Sequence, residues 1–398
     1  MTNSVQSGET ASPARGSIPA IAWLLTGSVA VIGSNSLLLA PIAPEVARSF
    51  AASTQTVMTA AAAFGVGTAL GALLLARFID RFGARRMLRA ALFILAVALA
   101  SSSAAPTVAA LIAAQLLAGL ASGIAIPSIY ALAAAVAPHG RTGETLGVVL
   151  TGWTLSMVAG VSLSAALADL VHWRVVYAAV ALLALVAAAA ISFSGYRDPS
   201  GQRATHSPIV ALKIPGVVPL LIASGSFSIA FYGTYGYLGD HLHSGLHRPV
   251  SANGVAALAY GVGFGAAALL DSVIDRIGAH RALSTAFASA ALVYLAFAAA
   301  SGTFAALLTV VFAWGLINHF GLNALVLRLA AIDPVQRSNI MGLNSAVTYL
   351  AVFAGTMAFG PIYTAFGFAA LPTAAAALML VAALATRSRA ENGLGARA

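Results

Sequence analysis

Apolar runs about as long as a bilayer is thick recur along this chain, with short polar segments between them. An α-helix needs roughly 20 consecutive apolar residues to cross the hydrocarbon core. Twelve stretches meet that length, near residues 18–41, 54–77, 87–104, 107–133, 144–168, 174–195, 216–238, 251–271, 282–300, 303–328, 340–362 and 367–386. A helix satisfies its own backbone polar groups, which is what lets it lie in lipid. Composition points the same way. Of the 398 residues 60% are hydrophobic and 8% charged, against about 25% charged in a soluble domain. Too few charges remain to cover a water-facing surface. The chain therefore reads as an all-α membrane protein with twelve transmembrane helices.

The basic residues give these spans a direction. An even number of spans puts both termini on one side. If that side is the cytoplasm, it holds 17 of the 20 Lys and Arg residues, and Arg48, Arg174 and Arg248 fall outside. Such asymmetry follows the positive-inside rule. It also argues against a nucleic-acid partner despite the formal charge of +9, because the bases neither stripe one face nor interleave with aromatics. Met1 to Ser17 is polar, with Glu9 and Arg15, and reads as a cytoplasmic tail before an uncleaved first span. Cysteine is absent, so disulfides, thiolate metal sites and cysteine nucleophiles are excluded.

Residues 196–214 carry Pro199, Gly201 and Pro208 and form the longest polar linker. They separate a first half, 18–195, from a second, 215–386, and residues 387–398 form a C-terminal tail. The halves match each other. Residues 76–88 read ARFIDRFGARRML and residues 271–283 read DSVIDRIGAHRAL, with seven of thirteen positions identical at an offset of 195. The same offset pairs Gly147 with Gly342 and Gly160 with Gly355. An offset of 196 pairs Gly65-Val66-Gly67 with Gly261-Val262-Gly263. An ordered series of matches marks a duplication, so the helices divide into two pseudo-symmetric six-helix halves. Parallel repeats with a site between them are a transporter architecture.

The D-R-x-G after the second helix resembles the signature loop of the major facilitator superfamily. GSNSLLLAPIAPEVARSF (33–50), GWTLSMVAGVSLSAALADLVHWRVVY (152–177), FYGTYGYLGDHL (231–242) and Trp314-Gly315 resemble the first, fifth, seventh and tenth helices of its bacterial drug and sugar efflux branch, of the arabinose efflux permease type. The resemblance covers nearly the whole chain. It implies the major facilitator fold, placed in the bacterial inner membrane with both termini cytoplasmic. It also implies a gating role for Asp80, Arg81, Gly83, Arg85 and Arg86, and for their repeats Asp275, Arg276, Gly278 and Arg281. In such a gate the carboxylate latches one side through basic residues and a helix N-terminus, interactions worth on the order of 1 kcal/mol. Ala76 stands where the family has glycine, and Ala84 where a base is usual. The family's fifth helix carries a Gly-Pro-rich motif linked to antiport; here Ser162 replaces the proline.

On that fifth helix Gly152, Ser156, Gly160 and Ser164 recur every four residues. They make a smooth face of the kind that lets helices approach closely. The resemblance places the substrate cavity among helices one, four, seven and ten, whose polar residues are the candidates. On the first helix these are Ser34, Asn35 and Ser36, and on the fourth Gln115 and Ser122. On the seventh Ser224, Ser228, Tyr232 and Tyr235 share one face. The tenth carries Asn318, His319 and Asn323. Polar groups in hydrocarbon are costly, so each faces a cavity or a neighbouring helix. Together they predict a wet, mostly uncharged pocket with aromatic walls. Proton coupling needs a titrating group. His319 is the only histidine in the middle of a span, and Asp240 lies at the outer end of the seventh helix beside His241 and His243. Proton-coupled relatives often place a carboxylate in the first helix and an arginine in the fourth; this chain has Ser34, Asn35 and Ser36 in the first and Gln115 in the fourth.

The expected function is secondary transport by alternating access, as an efflux permease that moves a small drug-like or sugar-like solute in exchange for protons. An uncoupled facilitator or importer of the same fold is an alternative, and a non-transporting receptor is one from a different class. No P-loop points to nucleotide hydrolysis, and no nucleophile–base pair or metal cluster lies at membrane depth. The chain is therefore not expected to be an enzyme or to hold a cofactor or metal. Its expected partners are the substrate, the lipid bilayer and protons. A closed pair of halves needs no further subunit, so a monomer is expected.

Overall fold

The structure, a computed structural model, describes residues 18–75, 78–138, 141–196, 208–270, 276–333 and 336–387, excluding the side chains at 80, 142, 143, 208, 209, 268, 279, 338 and 387. Six helices build the first half: α1 Ala20–Ser49, α2 Thr54–Leu75, α3 Ala84–Ser103, α4 Val108–Val136, α5 Glu144–Leu170 and α6 Trp173–Phe193. Six build the second: α7 Val217–Gly245, α8 Ser251–Ala268, α9 Ala279–Ala299, α10 Phe304–Ile332, α11 Arg337–Phe366 and α12 Ala370–Arg387. Among the described residues ten helices are long and apolar enough to cross a membrane; α12 is a shorter apolar helix, and the 18-residue α8 takes the eighth place. The twelve helices expected from hydropathy are present.

The duplication is also visible in the packing. α4 and α10 are both 29 residues long. In the first half Gly67 of α2 lies against the Leu116 carbonyl, and Gly119 of α4 lies against that of Phe64. In the second half Gly263 of α8 lies against the Phe312 carbonyl, and Gly315 of α10 against that of Tyr260. All four positions correspond at the offset of 196. Any side chain there would meet backbone, so these crossings demand glycine. The motif glycines correspond too. Gly83 and Gly278 precede α3 and α9 with φ of 89° and 80°, a region that glycine alone enters readily.

α1 continues to Ser49 instead of ending near residue 41, and it contains Pro41 and Pro44. Membrane helices tolerate proline where neighbours re-satisfy the backbone. Here the Asn253 side-chain amide of α8 donates to the Pro41 carbonyl at 2.6 Å. At about 1.5 Å per residue, the 30 residues of α1 outreach a hydrocarbon core of about 30 Å. Its far end stands against the end of α7, where Gly239 packs on Ala40 and Pro41.

Each arginine that departs from the charge asymmetry has a local partner. Arg48 bonds Glu45 at 2.6 Å. Arg174 lies over the Trp173 ring at 4.4 Å and donates to the Ala105 carbonyl at 2.7 Å. Arg248 lies over Phe304 at 5.1 Å. These contacts account for bases at the end away from the arginine-rich loops.

Candidate functional site

A cavity of about 150 Å³ lies between the halves. α7 supplies most of one wall through Ser224, Phe227, Ser228, Phe231 and Tyr232, and α8 adds Tyr260, Gly261 and Phe264. Leu322 of α10 and Thr348 of α11 complete the second half's share. The first half contributes Leu37 of α1 and Trp153, Thr154 and Met157 of α5. Among the described residues no charged side chain lines it. The second half's wall rests on an aromatic cluster: Trp314 is fully buried, with Phe231 at 5.1 Å and Tyr260 at 5.0 Å from its ring. Such tilted and edge-on pairs fix ring orientation.

The candidate polar residues separate by what they touch. Ser224, Ser228 and Tyr232 line the cavity. Asn35 and Gln115 are buried against each other, the Asn35 amide donating to the Gln115 carbonyl at 3.2 Å. The Gln115 amide in turn donates to Ser102 at 3.0 Å. This pair joins α1, α4 and α3 and satisfies buried amides inside the first half. Ser122 is buried and donates to the Ala118 carbonyl of its own helix at 2.9 Å. Tyr235 is buried and stacks on Phe231 with centroids 5.5 Å apart. Asn318 donates to the Tyr260 hydroxyl at 3.1 Å. His319 sits edge-on to the cavity residue Phe264 at 4.8 Å, and Asn323 is half-buried one turn further along α10.

Asp240 ends the α-helical part of α7 and is the hub of a polar cluster. It accepts from Thr54 of α2 and from Tyr363 of α11, each at 2.6 Å, and from Ser244 at 3.3 Å. The Thr54 bond joins the two halves. Beside it Arg48 of α1 donates to His243 Nε2 at 2.8 Å. With Asn253 on Pro41, these bonds tie the halves together at the end away from the arginine-rich loops.

At the arginine-rich end, Asp275 and the side chain of Asp80 lie outside the described residues. Arg85 donates to the Ile191 and Ser192 carbonyls at 3.1 and 2.5 Å, which closes α3 onto the end of α6. Arg81 lies 5.2 Å from the Phe82 ring, and Arg86, Arg276 and Arg281 are exposed. The smooth face of α5 packs on α1: Gly152 meets Thr26 and Val29, Gly160 meets Ser34, and Ser156 fills the space beside Gly33. Ser164 donates to the Gly160 carbonyl at 2.6 Å. This face therefore works inside one half. The contact between halves uses another side of α5, where Ser162 and Val158 meet Gly254 and Gly261 of α8.

Sequence reasoning did not find the cavity residues on α5, α8 and α11. A usable signal exists in Tyr260 and Phe264, four apart on one helical face. Trp153 carries no such signal, because it interrupts a run of small residues.

The family model of the Major Facilitator Superfamily matches residues 24–356. The MFS-type transporter YwfA of Bacillus subtilis is 27% identical over 369 residues, covering 91% of this chain and 90% of that one. A chloramphenicol resistance protein of Streptomyces lividans is 26% identical over 226 residues, 56% of this chain and 58% of its own. Among solved structures, a bacterial homologue of the human lysosomal transporter Spinster, inward-facing and occupied, superposes with a TM-score of 0.75. It does so at 15% identity, over 93% of this chain and 97% of that one. By the match over most of its length, the chain belongs to the Major Facilitator Superfamily, a family of transporters and not of enzymes.

Proposed function

We propose that this transporter exports a small, uncharged, aromatic solute across the bacterial inner membrane by alternating access of its two halves. The arginine-rich loops and both termini then lie in the cytoplasm. One observation carries the substrate class: the cavity between the halves has aromatic walls, a few hydroxyl groups and no charged lining. Such a site suits a neutral planar ring with hydrogen-bonding substituents. The relative named for chloramphenicol resistance supports export of a compound of this kind.

Proton exchange is assigned to His319, beside the cavity wall, and to Asp240, in the latch between the halves. Uncoupled transport is the alternative. The Asn35–Gln115 pair favours it, because two amides occupy the place where a titrating pair would exchange protons.

Flux of chloramphenicol in proteoliposomes under an imposed pH gradient tests both readings. The expected result is gradient-driven movement that His319→Ala abolishes. Gradient-insensitive flux in the wild type selects the uncoupled reading, and binding without any flux removes transport. For the loop, Asp80→Asn is expected to slow flux at unchanged membrane insertion; an unaltered rate ends the gating assignment.

A further inference from the structure

We infer that Trp153 reads the substrate's ring for the first half of the molecule, holding a planar uncharged aromatic ligand against the aromatic wall of the second half. The inference rests on the cavity reading above and adds the contact through which a ligand engages both halves at once. Alternating access requires such a bridge, because a ligand shifts a conformational equilibrium only through contacts that differ between the two states.

The cavity's aromatic lining is one-sided. Phe227, Phe231, Tyr232, Tyr260 and Phe264 all come from the second half, and Trp153 is the aromatic lining residue from the first. Its neighbours on α1 and α5 set its place. Gly33 of α1 leaves the room for it: a Cβ there would fall 2.9 Å from Trp153 Cε3 and 2.6 Å from Ser156 Oγ. Ser156 Oγ donates to the Trp153 backbone carbonyl at 2.7 Å. Directly after this turn, Ser156–Val161 widens into a π-helix. Single π-turns inside α-helices are frequent at functional sites. Here the widened turn follows the residue that faces the cavity, while Gly152 and Gly160 on either side keep α5 in contact with α1.

The chain's own tryptophans allow a direct test. Trp173 and Trp314 are fully buried, and Trp23 is 59% exposed on the outer surface. Chloramphenicol, a neutral nitroaromatic, should therefore quench Trp153 when titrated into the purified protein under selective tryptophan excitation. Equilibrium dialysis measures binding in parallel. Trp153→Ala is expected to bind about tenfold more weakly, from lost ring contact. Trp153→Phe, a ring for a ring, is expected to keep most of the affinity and lose the quench. Unchanged affinity in Trp153→Ala, or a quench of undiminished size in Trp153→Phe, overturns the assignment and leaves the transporter reading intact. Absence of wild-type binding in dialysis overturns the ligand class. Gradient-driven flux of a non-aromatic solute by the same preparation then shows that transport survives that failure.

Discussion

Gly83 and Gly278 are held by backbone geometry. Their φ angles of 89° and 80° lie where an L side chain is strained, at a cost on the order of 1–3 kcal/mol. Space does not explain Gly278, since nothing lies within 4 Å of where its Cβ would stand. Gly278→Ala is therefore expected to lower the melting temperature of the detergent-solubilised protein by several degrees. Gly342→Ala is the control. It lies inside α11 with open space around it, and alanine favours a helix over glycine by about 1 kcal/mol, so its melt should hold or rise. Equal losses in the two variants sink the backbone account. The comparison also marks what was legible in the sequence. The repeat finds Gly83 with Gly278 and Gly147 with Gly342 by the same matching, and only the dihedral angles separate a required glycine from an incidental one. Asn35 and Gln115 make the same point: helical periodicity tells which residues share a face, but not which neighbour that face meets.

α5 shows how one helix serves two contacts with different demands. Toward α1 it presents Gly152, Ser156 and Gly160, where close approach holds one half together. Toward α8 it presents Val158 and Ser162, across the boundary between halves. Overpacking a tight contact costs about 1–3 kcal/mol, so the two faces should respond differently. Gly160→Val pushes α5 from Ser34 inside one half and is expected to reduce the yield of monodisperse protein. Gly261→Val meets Val158 between the halves and is expected to leave the protein monodisperse while slowing flux. Size-exclusion profiles and proteoliposome rates measure the two effects, and a monodisperse, fully active Gly160→Val sinks the distinction. The four-residue period made this face visible in the sequence, and its partner became visible only in three dimensions. The same holds for α1. The apolar run ends near residue 41, yet the helix runs to Ser49, where α7 and α8 pack against it and Asn253 takes up the Pro41 carbonyl.

The twelve spans, their division into halves and the charge asymmetry follow from properties that accumulate over many residues, which is why they are readable without coordinates. The conformational state is different, because it depends on a few weak bonds. The halves are tied at one end by Thr54 on Asp240 and Arg48 on His243. His243 Nε2 accepts from Arg48, and its Nδ1–H donates to the Arg248 carbonyl at 2.9 Å. Exposed pairs of this sort are worth about 1 kcal/mol or less, roughly a fivefold change in a conformer ratio. The absence of cysteine in the chain makes the consequence measurable, because Ser228→Cys places a lone thiol on the cavity wall. In spheroplasts a membrane-impermeant maleimide is expected to label it slowly while the latch is closed. Adding Asp240→Ala frees Thr54 and Tyr363 together and is expected to raise the labelling rate several-fold. Labelling that ignores Asp240→Ala would mean that these bonds do not hold the halves together, and that apolar contacts such as Gly239 against Pro41 keep this end closed.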